Sequence, residues 1–347
     1  MEKFKLLLAS EFGKNDGQYC YADSFFRILG QNDCLLVKKL DNHPYFFIWL
    51  RGKRPNWRIF YYLIFYTEYL WVNFLLFTKM FFWRPDFIFM IKSDNLDYRL
   101  LRVIKRWFSC KIFYFYPDSP FAFHLGNSSL NVLKNLGQVD LFLFWRQDFW
   151  PALRSAGVQN FEYLPFYPDL ELFCDSNPKE EEIYDLCFVG AMDKKRKDLI
   201  LGLLKSLPDL KLCLVGPMWD EDQALLFYVI QKNVGLEGMK KIFRQSRICL
   251  NILKDQNEQS HNMRTFEVPA AGSFLLTEFS LEQSSFFEPE KEVAFFADAQ
   301  DLLVQVKKYL NNESDRLQIA QAGYQKVQRY GLKKILLDKL FVAIKRF

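Results

Sequence analysis

The chain alternates short, almost wholly apolar runs with longer amphipathic stretches. In the first half the apolar runs are Lys3 to Ala9, Phe87 to Ile91, Lys111 to Phe115 and Val139 to Phe144, and Phe161 to Phe166 ends the series. In the second half they are Leu186 to Gly190, Leu212 to Val215, Ile248 to Ile252, Phe274 to Leu276 and Val293 to Phe296. Runs this short and this apolar predict parallel strands buried on both faces, and the helical-period stretches between them predict covering helices. Helices are expected at Tyr19 to Leu29, Ile59 to Phe82 and Asp97 to Phe108, and from Asp301 onward with an interruption at Gly323. The polar segment Asp169 to Asp185, with its Lys179-Glu180-Glu181-Glu182 run, predicts a linker. Strand and helix alternating on both sides of a linker predict an α/β protein of two domains.

Residues 59–82 stand apart from this pattern. A basic group, Arg51, Lys53, Arg54 and Arg58, precedes a stretch in which only Glu68 and Lys79 are charged. The length suffices to cross a bilayer, but each central charge costs about 2.5–3.5 kcal/mol there, so a spanning segment is a poor fit. On a helical wheel Thr67, Glu68, Thr78 and Lys79 share one sector and leave a wide aromatic face. Two readings stay open: a core helix packed on the first sheet, or an interfacial helix beside anionic headgroups.

Composition narrows the function classes. At 347 residues each domain can bury its own core. The net charge of +5 lies entirely in the first half, where residues 1–173 carry 21 Lys and Arg against 16 Asp and Glu. That predicts a basic surface there rather than a nucleic-acid-binding protein. The seven cysteines are scattered and lack C-x2-C spacing, which favours a reducing, cytoplasmic setting and argues against a zinc site. Lys3 to Ala9 is too short for a secretory leader. The first turn, Ser10 to Gly17, lacks G-x-G-x-x-G, so a nicotinamide or flavin dinucleotide, and with it a dehydrogenase, is not expected.

Candidate chemistry concentrates between Ser260 and Glu278. His261, Asn262 and Arg264 open a helix that carries Glu267, breaks at Gly272 and leads to a strand. A helix start attracts an anion, a guanidinium can pair with phosphate oxygens, and Glu267 can accept hydrogen bonds from sugar hydroxyls. The plainer reading is a surface helix capped by Asn262. Arg196, within Lys194 to Lys197, is either a second phosphate contact or part of a solvated charge run. Tyr116-Pro117-Asp118-Ser119-Pro120 follows a strand, so Asp118 and His124 are candidates for a general base, or merely structural. Asp220-Glu221-Asp222 has a D-x-D shape but follows Trp219 and reads as surface.

The stretch N-x-R-x-F-E, a small-residue pair, Gly and an apolar strand resembles the C-terminal signature of CgeB-like glycosyltransferases, a branch of the GT-B class. F-V-G at 188–190 with Arg196 following, G-x-x-W at 216–219, L-N-I at 250–252, P-D-x-P at 117–120 and Y-L-P-F at 163–166 occur in the order of that family. The resemblance implies a GT-B fold: two Rossmann-like domains facing a cleft, residues 1–173 for the acceptor and 184–325 for the nucleotide-sugar, with a helix over 326–347 returning to the first domain. It implies transfer of a sugar from a nucleotide donor to a glycan, lipid-linked or protein acceptor, without a cofactor or a bound metal, in the cytoplasm or at the inner face of a membrane. The donor residues it implies are Gly190, Arg196, Gly216, His261, Asn262, Arg264, Thr265 and Glu267, with Asp118 and His124 as catalytic candidates. Glu267 matches the second glutamate of the E-x7-E signature of retaining enzymes, whereas Gln259, beside Glu258, stands at the first. That departure gives weight to an alternative, a catalytically silent GT-B module acting as a membrane-associated binding partner.

Overall fold

Two all-parallel sheets of six strands each account for the apolar runs. The computed structural model describes residues 3–13, 20–44, 46–47, 50, 58–123, 128–174 and 180–347, with backbone alone at 58, 59 and 61. Lys14 to Gly17, Arg51, Lys53, Arg54, the Arg58 side chain and His124 lie outside the described residues.

The first sheet contains β1 (Phe4–Ser10), β2 (Leu35–Asp41), β3 (Phe87–Ile91), β4 (Lys111–Phe115), β5 (Leu141–Phe144) and β6 (Phe161–Tyr163), in the order β2-β1-β3-β4-β5-β6. The second contains β7 (Tyr184–Val189), β8 (Leu212–Val215), β9 (Val229–Gln231), β10 (Ser246–Asn251), β11 (Leu275–Glu278) and β12 (Ala294–Phe296), in the order β12-β11-β10-β7-β8-β9. The helices are α1 (Tyr21–Gly30), α2 (Arg58–Phe82), α3 (Tyr98–Phe108), α4 (Leu130–Leu136), α5 (Trp150–Ser155), α6 (Leu170–Phe173), α7 (Lys194–Ser206), α8 (Leu236–Arg244), α9 (Arg264–Ala270), α10 (Leu281–Phe286), α11 (Ala299–Leu310), α12 (Glu313–Val327) and α13 (Leu332–Arg346). Strands β2 and β9 have no counterpart among the predicted runs. Both are edge strands, and the exposed Lys38 and Lys39 of β2 break the apolar signal while blunting the edge.

The chain divides into two compact units. One runs from β1 to Pro165 and takes back Lys333–Phe347, and the other is Phe166–Leu332. The division precedes the polar segment from which a linker is predicted. The Phe166 N–H donates to His261 Nε2 at 3.0 Å, Leu332 N donates to the Pro168 carbonyl at 2.9 Å, and Tyr167 packs on Phe266 and Tyr330. These contacts hold residues 166–168 to the second unit. Gly323 does not interrupt the tail. It lies inside α12, where a Cβ would come within 2.4 Å of the Glu292 carbonyl oxygen, so glycine permits a close approach rather than a break.

Aromatic packing fills the first unit. Phe25 of α1 stacks on Phe115 with centroids 5.7 Å apart and meets Phe89 edge-on at 5.6 Å. Helix α2 is oriented differently from a helix whose polar sector faces water. Its buried ridge is Ile64, Glu68, Val72, Leu76 and Met80, at i+4 spacing, and the rings point outward. Glu68 is 1% exposed. His43, two residues beyond β2, makes this possible: its Nδ1 lies 3.0 Å from Glu68 Oε1 and its Nε2 lies 3.1 Å from Asp94 Oδ1. Asn73 Nδ2 donates to the Asn95 carbonyl at 2.8 Å and fixes the next turn. No helix among the described residues is long and apolar enough to cross a membrane.

Burial alone would lower the pKa of His43, but hydrogen bonds to Asp94 and Glu68, and their charges, outweigh it and push the value up to about 9. Asp94, raised by burial, ends below its usual value because His43 stabilises the carboxylate. A raised histidine pKa stabilises the fold fully below the unfolded value of 6.5, and the contribution is lost as the pH rises through about 9. His43→Gln should therefore cost roughly 3 kcal/mol on the acid side of that window and progressively less across it. Denaturant melts of both proteins across the window check this. A gap independent of pH would contradict the clamp.

Candidate functional site

Open parallel sheets bind ligands beyond the carboxyl ends of their strands, where successive loops diverge to opposite sides. In the second unit this point lies between β7, whose chain continues to β8 on one flank, and β10 on the other. Every described residue of the predicted donor set stands at or behind this edge, because the loops after β7, β8 and β10 carry them.

The glycines shape the edge. The pairing of Val189 with Val215 sets Gly190 and Gly216 side by side. Gly216 has φ +141°, and a Cβ there would stand 2.1 Å from the Gly190 carbonyl oxygen. Trp219 donates its indole N–H to that same carbonyl at 2.7 Å. F-V-G and G-x-x-W are thus two halves of one backbone junction, which brings main chain rather than side chains to the edge.

Cations and a carboxylate gather beside it. Asp193 caps α7 by accepting from the Arg196 N–H at 2.9 Å, which aims Arg196 back across the strand ends. Its guanidinium donates to the Ile252 carbonyl at 2.7 and 3.1 Å and to the Ala191 carbonyl at 3.0 Å. The charge run is therefore not a solvated face. Arg196 is buried, Lys195 pairs with Glu278 at 2.6 Å, Lys197 with Asp222 at 3.2 Å, and Lys194 is exposed. Burial lowers the Arg196 pKa, and nearby Arg264 adds to the effect while Asp193 opposes it. Arg264, the first residue of α9, donates through Nε to the Val189 carbonyl at 3.1 Å and through Nη1 to Glu267. Glu267, one turn on, is 1% exposed. Burial raises its pKa, with Arg264 pulling the other way.

Behind these groups lies a closed polar network. Asn251 and Asn262 exchange amide hydrogen bonds at 2.8 and 3.1 Å, and Asn251 also donates to Thr277 at 3.1 Å. The Thr265 hydroxyl donates to Gln283 at 2.8 Å. Asn262 and Thr265 set the position of α9. The helix closes in a Schellman motif, with Gly272 at φ +72° and the Ser273 N–H reaching the Val268 carbonyl at 3.2 Å.

His261 is placed differently from a sugar or phosphate contact. It is fully buried, with Nε2 accepting from Phe166 and Nδ1 2.8 Å from Glu282, so its ring hydrogen sits on Nδ1. Phe166, Phe266 and Phe286 surround the ring. It latches Phe166 to the loop before α9, and neither nitrogen is left for a ligand.

In the first unit Asp118 pairs with Lys92 at 2.6 Å, beyond the carboxyl ends of β4 and β3. Asp220 and Asp222 each pair with a lysine, Lys232 at 2.6 Å and Lys197 at 3.2 Å. Among the described residues no three His, Cys, Asp or Glu side chains converge to hold a metal. Sequence reasoning missed Lys195, Glu278 and Asn251 in the second unit and Lys92, His43 and Asp94 in the first. Recognising β2 as a strand would have placed His43 at a carboxyl end, and L-N-I already marked Asn251.

His261→Phe keeps the aromatic packing but orphans the Phe166 N–H and removes one of the partners of Glu282, so stability should fall by roughly 2 kcal/mol. Nucleotide affinity, measured by calorimetry on the folded variant, should stay within about twofold, well under the 1.4 kcal/mol of a tenfold change. Full stability with lost affinity would contradict the assignment.

Residues 196–332, within the second unit, match the family described as glycosyl transferase-like. No curated protein sequence is significantly similar to the chain. Among solved structures, Anabaena Alr3699/HepE in complex with UDP aligns over 98% of this chain and 100% of its own, with TM-score 0.62 and 13% identity. Sucrose-phosphate synthase from Thermosynechococcus elongatus aligns over 98% and 100%, with TM-score 0.65 and 12% identity. The N-terminal domain of Candida albicans trehalose-6-phosphate phosphatase aligns over 99% and 97%, with TM-score 0.66 and 11% identity. The likeness extends over both six-stranded parallel sheets, and the fold is that of the GT-B class.

Proposed function

We propose that the protein is a nucleotide-sugar-dependent glycosyltransferase. The second unit holds the donor, and the first takes a glycan, lipid-linked or protein acceptor. The observation that carries this reading is the meeting of Arg264, Glu267 and the buried Arg196 at the divergence of the β7 and β10 loops, inside the segment that matches a glycosyl transferase-like family. Anabaena Alr3699/HepE, which shares the fold, has structures with UDP and with UDP-glucose. The order of F-V-G, G-x-x-W, L-N-I and N-x-R-x-F-E supports a CgeB-like branch.

In this reading Arg264 is the phosphate contact. It is partly exposed and held at the end of β7 by the Val189 carbonyl, so it can turn toward a diphosphate without leaving the edge. Glu267, released by Arg264, then accepts hydrogen bonds from ribose hydroxyls. Arg196 contributes positive charge from behind and positions the strand ends. The departing diphosphate is neutralised by these cations rather than by a bound metal. Asp118, beside Lys92, and His124 are the candidates in the first unit for taking the acceptor proton.

A second reading, a binding module without turnover, is favoured by the Arg264–Glu267 pair, which satisfies both groups within the protein. Incubation with a panel of nucleotide sugars separates the two. Donor hydrolysis that survives excess EDTA marks the enzyme, thermal stabilisation without hydrolysis marks the module, and no response counts against both.

Arg264→Ala should weaken binding of uridine diphosphate by roughly 1.5–3 kcal/mol, the range of a hydrogen bond to a charged group, and leave uridine binding nearly unchanged. Glu267→Gln should weaken both ligands alike, since it acts on the ribose. Equal losses for Arg264→Ala on both ligands, seen by calorimetry, would remove it from the phosphate role.

A further inference from the structure

The outward face of α2 is an extended apolar surface that the proposed donor site does not use. Leu63, Tyr66, Leu70, Phe74, Phe77 and Phe81 follow the helical repeat along one side, each between 41% and 60% exposed. They present roughly 600 Å² of ring and aliphatic surface, taking about 200 Å² for a large side chain. That reaches the upper end of what a monomer leaves uncovered, before Trp71 and the 83% exposed Phe82 are added. The opposite ridge, from Ile64 to Met80, already packs in the core, and Glu68 is clamped by His43. The core and interfacial readings of this helix are therefore two faces of one element, and neither face can rotate into the place of the other.

The neighbouring helix decides what covers the rings. α3 touches α2 and is joined to it where Asn73 Oδ1 accepts from the Asp97 N–H at 2.8 Å and Tyr69 donates to the Asp97 carboxylate. From Tyr98 to Phe108 it carries Arg99, Arg102, Lys105 and Arg106 and no acidic residue. Lys105 pairs with Asp140, whereas Arg99, Arg102 and Arg106 are exposed, as is Trp107. Trp107 also lines a groove of about 580 Å³ with Phe4, Phe87 and Phe347, where Arg84 and Lys111 outnumber one acidic residue, Asp86. A second copy seated on this face would add its own arginines to these and bring no carboxylate on α2 or α3 to meet them beyond the shielded Glu68. Anionic lipid headgroups match the charge, and tyrosine and tryptophan rings suit the boundary between headgroup and acyl chain.

We propose that α2 lies in the interfacial layer of an anionic bilayer, its aromatic face toward the acyl chains and the α3 arginines on the headgroups. This deepens the membrane-bound acceptor in the reading above and rests on that reading for its purpose only, since the surface exists whatever the donor.

The test is flotation of the full chain with phosphatidylcholine vesicles and with vesicles that also contain phosphatidylglycerol. The protein should float with the anionic vesicles and lose the association as salt rises. Changing Arg99, Arg102 and Arg106 together to glutamine should lower partitioning roughly a hundredfold, at about fivefold per charge. Phe74→Ser, Phe77→Ser and Phe81→Ser combined should abolish it. If that variant does not fold, the arginine variant decides alone. Absence from anionic vesicles at low salt overturns the proposal, as does equal binding to neutral vesicles that the arginine changes leave intact. Self-association that the phenylalanine changes abolish, without flotation, assigns the face to a second copy instead. Uridine diphosphate stabilisation, measured on the same samples, separates failure here from failure of the donor reading.

Discussion

An ionised carboxylate cannot be buried alone, and the edge between β7 and β10 is organised by that constraint. Unpaired, the Glu267 carboxylate would cost several kcal/mol in its buried position. Arg264 pairs with it and at the same time holds the Val189 carbonyl. One guanidinium therefore ties the start of α9 to the end of β7. Arg196 makes the complementary tie, from the start of α7 to the end of β10 through the Ile252 carbonyl. The two strands flanking the divergence point are each held by a cation from the helix that follows the other. Neither arrangement tolerates a bulky junction beside it, which is why Gly216 lies against the Gly190 carbonyl.

The first unit uses the same physics for another end. His43 lies between Glu68 and Asp94 and permits a carboxylate on the inward ridge of α2. That contact fixes which way the helix faces. Its aromatic side is then presented outward by the fold, beside a helix that carries four basic residues and no acidic one. The edge proposed for the donor in one unit and the aromatic, cationic surface in the other are the two features on which the proposed transferase with a membrane-displayed acceptor rests.

Much of this was legible in the residues. Runs such as Phe87 to Ile91 and Lys111 to Phe115 are strands at those bounds because a strand covered on both faces leaves no polar position to blur its ends. The edge strand β2 escaped notice for the converse reason: the exposed Lys38 and Lys39 interrupt its apolar run after Leu35-Leu36-Val37. Arg264 and Glu267 were readable as a pair by their helical spacing, but their mutual ion pair was not. The direction of α2 was hidden because a buried glutamate and a solvated one look alike until a partner 25 residues away is known. His261 was misjudged on similar grounds. Its role depends on Phe166, 95 residues earlier, and a histidine in a polar loop gives no sign of such a partner.

Among the described residues, arginines gather in two places at opposite ends of the strands of the second unit. One is the Arg196 and Arg264 edge. The other is a cavity of about 310 Å³ at the amino ends, lined by Arg244, Arg247 and Arg316, where Glu182 is within 3.4 Å of both Arg247 and Arg316. Hydrogen exchange with and without uridine diphosphate distinguishes them. The account predicts slower exchange at residues 190–196 and 262–267 and no change at 244–247 and 316–321. Protection confined to the Arg244, Arg247 and Arg316 segments would place the nucleotide at the wrong end of the sheet and contradict the donor site.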